Sequence, residues 1–447
     1  MTDLLNLKHL KITSIEENDH DYHVDAETVV STTLCEHCQS QNIIGFGRHE
    51  QLIRDLPIHA KRVGIYIDTK RYRCKDCGKT FMESIPEVDD KRNMTIRLVD
   101  WIGKQAVKRT FTSIAEEIGI AEKTVRNIFN DYINAVQNQF RFETPKLMGI
   151  DEIHLIKPRG VITNIQNNTV VEVLVNRNKE TMIQYLAGLP EKQTIRYVAM
   201  DMWKPYRDAV EQVLPHAMIV IDKFHVVRMA NDALDKVRKS LRAELEPKQR
   251  RYLKNDRFIL LKRRHELSDQ EEFIMSGWLE NYPQLALAYS AKEAFYEIYD
   301  SNNLMEANKR YSSWREMIKP EIHGAYADLI RAFENWQPYI LNYFQHPVTN
   351  AYTESLNNLI RIMNRLGRGY SFEALRAKIL FSEGALKPKY KRPKFERRSR
   401  EMEEPRFMMK MIHDRSLPDE QPIEREIEGY FGADITTLLE IFESELK

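Results

Sequence analysis

The pattern of apolar and polar positions changes several times along the chain, and each change predicts a different kind of element. Residues 63–74 partly alternate and contain several β-branched residues, as strands do. Residues 91–145 and the long charged stretch 227–345, which has few glycines, are predicted to be helical. The N-terminal part is therefore expected to be a small β-rich module, followed by helices, a mixed region and more helices.

Strand and helix patterns alternate between residues 146 and 226. Strands are predicted at 147–156, 160–168, 169–178, 194–202 and 217–225, and helices at 179–189 and 204–215. This order, β-β-β-α-β-α-β, resembles the ribonuclease H fold, in which the first and fourth strands are neighbours at the centre of the sheet. On that resemblance we expect Asp151 and Asp201 to lie close together.

Three of these predicted strands each carry one aspartate: Asp151, Asp201 and Asp222. A charged carboxylate in an apolar strand is costly to bury unless it is paired or bound to a metal. Paired carboxylates hold two Mg²⁺ (or Mn²⁺) ions ~3.5–4 Å apart, which assist phosphoryl transfer. Each aspartate alone is more typical of a strand-end cap or a turn residue, but the three together favour a metal site.

A third metal-binding carboxylate is predicted on a helix within 347–372. Asn350, Glu354 and Asn358 are spaced so that they share one helical face. Amides beside a glutamate would orient it as a metal ligand and contact a phosphate. A solvated helix face has the same pattern, so the spacing alone leaves both readings open.

All four cysteines lie in two CxxC pairs, Cys35 with Cys38 and Cys74 with Cys77. Two such turns supply the four soft ligands of a tetrahedral zinc ion, with no open position for catalysis. We therefore predict one structural Zn²⁺. The gap between the pairs exceeds the ~15–20 residues of a compact zinc ribbon, which leaves room for an extra hairpin.

Residues 111–133 have the spacing of a helix-turn-helix. Ala115 is small where two helices would cross, Gly119 suits a turn of positive φ, and Val125 would anchor the second helix. A plain helical hairpin has the same pattern, but the zinc module upstream favours DNA binding. The predicted DNA-contacting residues are Lys123, Thr124, Arg126 and Asn127.

The net charge of +1 does not by itself indicate a nucleic-acid-binding protein, so attraction to DNA must come from local basic patches. Thirteen Lys or Arg stand against five Asp or Glu between Arg228 and Arg264. With Trp278 and Trp314 further on, this stretch suits a surface that follows phosphates, although a solvated helix face is the alternative. The basic run 387–400 suits the same role or a disordered tail equally.

No stretch approaches the ~18–20 apolar residues of a membrane helix, and the first residues, MTDLLNLKHLKI, do not resemble a signal peptide. We therefore expect no membrane association and a cytoplasmic protein.

Several motifs together resemble the bacterial insertion-sequence DDE transposases of the ISL-three group. They are the two CxxC pairs, the helix-turn-helix, GIDE (149–152), MDMWKPYRDAV (200–210), P-x-A-x-x-V-x-DKFHVV (215–227), NDALDKVRK (231–239) and NAYTESLNN (350–358). The resemblance covers nearly the whole chain, and DKFHVV followed by NDALDKVRK is its most specific part.

The resemblance implies a transposase that binds the terminal inverted repeats of its element in double-stranded DNA. Such an enzyme hydrolyses a phosphodiester to free a 3′-hydroxyl and then attacks target DNA with it. Asp151 and Glu354 match the first and last catalytic carboxylates. Asp201 is assigned as the second catalytic carboxylate, and Asp222 is the alternative. Asp222 and His225 form a D-x-x-H pair that is assigned a supporting role.

Joining two element ends implies a homodimer or a higher oligomer on DNA, and a bacterial protein that is nucleoid-associated when bound. Family members carry an α-helical insertion before the glutamate. The predicted fold class is thus multidomain α/β. Its six parts are a zinc-binding ribbon-like module (1–90), a helix-turn-helix domain (91–145), a ribonuclease H-like core (146–228), an α-helical insertion (229–345), the second part of the core (346–386), and a basic stretch with an amphipathic tail (387–447).

Two other functions fit parts of this pattern. A non-catalytic regulator derived from a transposase would keep the zinc module and the helix-turn-helix but lose a carboxylate, whereas all candidates are present here. Another ribonuclease H-like nuclease, such as a junction resolvase, is disfavoured by the two-part N-terminal DNA-binding region.

Overall fold

A computed structural model describes residues 5–29, 32–140, 143–385 and 387. The chain divides into two compact units. The first comprises residues 1–142 and 360–385, and the second comprises residues 143–359 and 386–447. The basic run and the tail predicted at 387–447 lie, apart from residue 387, outside the described residues, and the six-part division stays a prediction.

The first unit begins with a five-stranded sheet, which bears out the β-rich module expected there. Its strands are β1 (Leu10–Glu17), β2 (Asp21–Thr28), β3 (Ile43–Ile58), β4 (Lys61–Cys74) and β5 (Thr80–Met82). The order is β1-β2-β4-β3, with β5 also pairing β4, and only β2 and β4 run parallel. Alternate residues such as Ile53, Ile65 and Ile67 fill one buried face.

Three helices follow the sheet: α1 (Ile96–Lys108), α2 (Phe111–Ile118) and α3 (Glu122–Gln137). Thr95 and Thr110 cap the first two through their side-chain oxygens. Gly119 ends α2 in the left-handed conformation (φ 72°), which glycine adopts without steric cost. Helices α2 and α3 are therefore the predicted helix-turn-helix pair, and their apolar stripe is buried.

The described part of the second unit contains a five-stranded sheet of order β10-β9-β6-β7-β8. The strands are β6 (Leu147–His154), β7 (Pro158–Asn164), β8 (Thr169–Val173), β9 (Tyr197–Met200) and β10 (Met218–Ile221). The strands β6, β9 and β10 run parallel, whereas β7 and β8 are antiparallel. The first and fourth strands of this region, β6 and β9, are neighbours as expected.

The connections in this sheet follow the predicted order. Helix α4 (Lys179–Gly188) joins β8 to β9, and α5 (Lys204–Val213) joins β9 to β10. Several predicted strands were too long. The strand β8 ends at Val173 rather than 178, and β9 starts only at Tyr197, after a 3₁₀ turn at Lys192–Thr194. The strand β7 ends at Asn164 rather than 168, and β10 ends at Ile221 rather than 225 because the next helix begins at Lys223.

A long helical region follows β10, as the charged pattern indicated. Its helices are α6 (Lys223–Glu244), α7 (Pro247–Asn255), α8 (Arg257–Leu261), α9 (Asp269–Asn281), α10 (Pro283–Tyr299), α11 (Leu304–Met317) and α12 (Pro320–Leu341). Trp314 is buried in its aromatic core and donates to Ala291 O, and Trp278 donates to Asp256. The expectation that Trp314 serves a phosphate-following surface was therefore wrong, because its ring packs inside.

Two helices end the described chain: α13 (Ala351–Gly367) and α14 (Phe372–Leu380), the latter followed by a π-helical turn at Phe381–Ala385. The helix predicted within 347–372 is α13, which ends at Gly367. Arg368 (φ 43°) and Gly369 (φ 104°) both adopt positive φ, which no α-helix accommodates.

Helix α14 belongs to the first unit and completes its core. Lys378 is buried there, with its Nζ 4.6 Å from the centre of the Phe111 ring. It donates to the carbonyls of Ala106 and Arg109 at the end of α1. These carbonyls lack helical partners, so a buried lysine satisfies the helix end.

Candidate active site

Strand register places two of the predicted carboxylates side by side. Ile150 of β6 is paired with Met200 of β9, and Asp151 and Asp201 are the next residue on each chain segment. Because both strands run parallel, their carboxyl ends meet at one edge of the sheet. The sequence expectation that these two aspartates are close is met by the backbone itself.

The other candidates come from helix N-termini that point to the same edge. Asp222 directly follows β10 and caps α6, with its side chain accepting from Phe224 N. His225 lies in the first turn of α6, and Glu354 in the first turn of α13. Four carboxylates and one imidazole therefore converge from three strand ends and two helices.

The distances show that this is one cluster. His225 Nε2 lies 2.7 Å from Asp201 Oδ1 and 3.4 Å from Glu354 Oε1. One ligand atom each from Asp151, Asp201 and His225 lie within 4.8 Å of one another, and the same holds for Asp222, His225 and Glu354. His225 thus stands between the two groups.

Hydrogen bonds do not explain why these groups are packed together. Asp201 Oδ1, Asp222 Oδ2 and His225 Nε2 are buried, and none has a hydrogen-bond partner in the described part of the chain. Asp201 Oδ1 and His225 Nε2 nevertheless attract each other as an ion pair at 2.7 Å, so among the described residues Asp222 Oδ2 is the atom of the three that has neither kind of contact. A buried polar atom left unpaired costs about 1–3 kcal/mol, so this crowded set of carboxylates fits metal ligands.

The acidity of these groups is strongly perturbed. Burial, and then the charge of Asp201, raise the pKa of Asp151 well above its usual value. Burial and the charge of Glu354 raise the pKa of Asp222 to about 7. Burial acts to lower the pKa of His225, but the surrounding carboxylates, Asp201 first, outweigh it and raise that pKa well above normal. Crowded like charges and desolvation of this kind are typical of a cation site.

A buried polar network fixes α13 against β6. Asn357 Nδ2 donates to Asp151 Oδ2 (2.7 Å), and Asn350 Nδ2 donates to Ile150 O (3.1 Å). Thr353 donates to Asn350 Oδ1 (2.5 Å), and its hydroxyl also lies 2.7 Å from that of Thr163. Helix α13, which carries Glu354, is therefore held to the strand that carries Asp151.

The network depends on a glycine in β6. A Cβ on Gly149 would lie 2.4 Å from both Asn350 Oδ1 and Thr163 Oγ1, and 2.6 Å from Thr353 Oγ1. These distances are far below van der Waals contact, so the glycine allows the approach of the helix to the strand.

The sulfur atoms of the four predicted zinc ligands also lie close together. Cys35, Cys38, Cys74 and Cys77 place their sulfurs within 4.8 Å of one another, with Cys35 and Cys74 buried and Cys38 and Cys77 less so. Cys38 Sγ lies 3.6 Å from Cys74 Sγ, and Cys35 Sγ lies 3.8 Å from Cys77 Sγ. Such spacing is too long for disulfides and suits the edges of a tetrahedral metal site.

The predicted DNA-contacting residues occupy the start of α3 but differ in exposure. Lys123 and Asn127 are exposed, and Thr124 is half-buried. Arg126 forms an ion pair with Glu122 (2.7 Å) and lies over the Phe111 ring (5.7 Å). A DNA contact by Arg126 would therefore compete with partners on its own helices.

Comparison with known families explains why these features occur together. Residues 148–379 match the transposase model of family ISL3. Residues 31–77 match the zinc-finger of transposase IS204/IS1001/IS1096/IS1165, and residues 83–133 match the helix-turn-helix domain of transposase family ISL3. The first match alone spans more than half of the chain. The chain belongs to the ISL3 family of insertion-sequence transposases.

Similarity to individual transposases supports the same family assignment. The transposase for insertion sequence element IS1001 of Bordetella parapertussis is 24% identical over 345 residues, which cover 75% of this chain and 85% of that protein. The transposase for insertion sequence element IS1557 of Mycobacterium tuberculosis is 23% identical over 348 residues, or 71% and 78% of the two chains. The match to the zinc-finger of these transposases covers the four-cysteine cluster and supports a structural zinc there.

In this transposase, the amides near Glu354 are arranged differently from the sequence expectation. Asn350 was expected on the same helical face as Glu354, yet its side chain is buried against β6 and contacts Ile150 and Thr353. Asn358, the other predicted amide, is half-buried. Asn357, the residue before it in the sequence, donates to Asp151.

Among the described residues, no helix has the length and apolar character needed to cross a lipid bilayer.

Proposed function

We propose that this transposase cuts and joins DNA by metal-dependent phosphoryl transfer, with Asp151, Asp201 and Glu354 as its catalytic metal ligands. The observation that carries the proposal is the convergence of these carboxylates around His225. The sheet order β10-β9-β6-β7-β8, with β6 and β9 central, supports a ribonuclease H-like core around them.

The donor set suits hard divalent cations, because carboxylate oxygens predominate. Two bound Mg²⁺ or Mn²⁺ ions would supply activation of the attacking oxygen and stabilisation of the leaving oxygen. The chain holds the ligands in place through Asn357 on Asp151 and through the fixed start of α13. The protonated form of His225, between Asp201 and Glu354, offsets the repulsion of the carboxylates.

The second ligand has two candidates. Asp201 groups with Asp151, and Asp222 groups with Glu354. One oxygen of Asp222 already caps α6, whereas Asp201 lies on the strand adjacent to Asp151. We therefore assign Asp201 to the metal, and Asp222 with His225 to support.

The substrate is double-stranded DNA: the terminal inverted repeats of the element, and then target DNA. The zinc ribbon and the helix-turn-helix supply the binding surface, and the exposed Lys123 and Asn127 on α3 are the first residues to test. Neutralising a phosphate contact weakens binding and reduces its salt dependence. Because two ends must be joined, a dimer or higher assembly on DNA is part of the proposal.

Cleavage of element-end DNA with Mg²⁺ or Mn²⁺ tests the proposal directly. Asp151→Asn and Glu354→Gln should abolish cleavage while retaining gel-shift binding, and Asp328→Asn, an exposed control in α12, should cleave normally. Asp201→Asn should be as inactive as Asp151→Asn, whereas Asp222→Asn should retain part of the activity. Binding without cleavage by the unaltered protein would instead favour a regulator, and cleavage without strand-transfer products would favour another nuclease.

A further inference from the structure

A cavity of about 330 Å³ opens beside the carboxylate cluster. Asp201 and His225 line it, so its wall is shared with the proposed metal site. Its size is at the lower end of the ~300–1,000 Å³ range of ligand cavities, which suits one flat ring system rather than a large ligand.

Part of the cavity wall is apolar and aromatic. Met202, Trp203 and Met229 line the cavity together with the buried ring of Tyr206. Trp203 stands two residues after Asp201 and remains 39% exposed, which is unusual for the largest apolar side chain. Methionine and tryptophan surfaces bind flat polarisable rings well.

Trp203 is held in place rather than loose. The guanidinium of Arg177 lies over its ring, 4.8 Å from the ring centre, and Arg177 also forms an ion pair with Glu152. The backbone of Trp203 starts α5, where it accepts a hydrogen bond from Tyr206 N. An exposed ring fixed in this way loses little entropy when a second ring stacks on it.

The charges that line the cavity are mixed. Glu152, Asp201 and Asp232 are acidic, whereas Arg228 and His225 are basic. A neutral nucleobase is compatible with such a lining, and the carboxylates can accept hydrogen bonds from the exocyclic amino groups of adenine and cytosine.

We propose that this cavity receives one unpaired nucleobase of the DNA whose scissile phosphate lies at Asp201, and that Trp203 stacks on that base. The proposal rests on the DNA-cleaving function proposed above. A base within a duplex is already stacked on its neighbours, so occupancy requires that the base leave the helix. Filling the cavity would fix the position of the adjoining phosphate relative to the carboxylates.

Abasic scanning of the DNA ends tests this subsite. Duplexes carrying the element ends, each with a single abasic site at one position near the cleavage site, are incubated with Mg²⁺ and the full-length protein. On intact DNA, Trp203→Ala should slow cleavage on the order of tenfold to a hundredfold, the range expected for loss of one base–aromatic stack. Trp203→Phe, which keeps a stacking ring, should stay close to the unaltered protein.

The result that decides the proposal is the position of the abasic site at which the effect of Trp203→Ala disappears. At one abasic position the difference between Trp203→Ala and the unaltered protein should vanish, because no base remains to stack. Phe273→Ala removes another exposed aromatic ring, one outside the cavity lining, and should change nothing. Equal cleavage by Trp203→Ala and the unaltered protein, or a defect that is the same at every abasic position, would overturn the base site. Absence of cleavage by the unaltered protein would overturn the proposed function and the base site with it.

Discussion

The substitution Gly149→Ala tests how Glu354 is positioned without touching a carboxylate. The added Cβ would lie 2.4 Å from Asn350 Oδ1 and from Thr163 Oγ1, whereas ordinary contacts begin at 3.4 Å. The start of α13 must therefore move away from β6 by about 1 Å. The neighbouring oxygens cannot turn aside cheaply, because they hydrogen-bond to one another in a buried network.

The expected loss of stability follows from two contributions. Overpacking a rigid core costs about 1–3 kcal/mol. Weakening two buried hydrogen bonds adds roughly 1 kcal/mol each. The free energy of unfolding should therefore fall by about 3–5 kcal/mol. Glu354 lies one turn beyond Asn350 and moves with the helix, and a displacement of about 1 Å can slow catalysis by ~100-fold.

Chemical denaturation and Mg²⁺-dependent cleavage of element-end DNA measure the two effects. Gly188→Ala at the end of α4 is the matched control, because a Cβ there meets nothing within 4 Å. This control should be as stable as the unaltered protein or slightly more so. If Gly149→Ala matched Gly188→Ala in both measurements, the idea that β6 holds α13 in register would be refuted.

Three further predictions follow from the same contacts. Asn357→Leu removes the donor to Asp151 Oδ2 and should weaken Mn²⁺ binding, measured by calorimetry, by about 10- to 100-fold; unchanged affinity would contradict the contact's role. Cys74→Ser should lose stoichiometric zinc and lower the melting temperature, and a zinc content equal to that of the unaltered protein would count against the four-cysteine site. Burial lowers the pKa of Lys378 to about 7, below its ordinary value of 10.5, so its cost to stability is full below pH 7 and is relieved as pH rises towards 10.5. Relative to Lys378→Met, the unaltered protein should therefore gain unfolding free energy across this window, and a pH-independent difference would show that the lysine stays charged.

Local sequence patterns were enough to predict much of the strand order in the second unit. The strand order followed from short apolar runs and their intervening helices, and parallel pairing then placed Asp201 beside Asp151. The cysteine pairs were predictable for a similar reason, because each CxxC turn is a local clip. Such features depend on neighbours in the sequence, which a single chain displays directly.

Features that depend on distant neighbours were missed. The sequence around Gly149 does not indicate that a helix two hundred residues later packs against its backbone, where a Cβ would not fit. Likewise, Lys378 looks like a solvated lysine in an ordinary helix, and only the folded chain shows it at the end of α1. The buried Trp314 was misread because exposure is set by tertiary packing, which composition does not report.

Residues 360–385 belong to the first unit although they are synthesised after residues 143–359, so the first unit cannot be completed until late in translation. A ribosome completes the zinc ribbon and α1–α3 first, then residues 143–359, and only afterwards Tyr370 and Lys378, which cover Phe111 and satisfy the end of α1. Until then the helix-turn-helix core has an open side. A chain that stops before Glu354 would therefore lack the helix that closes this core as well as the last carboxylate of the cluster.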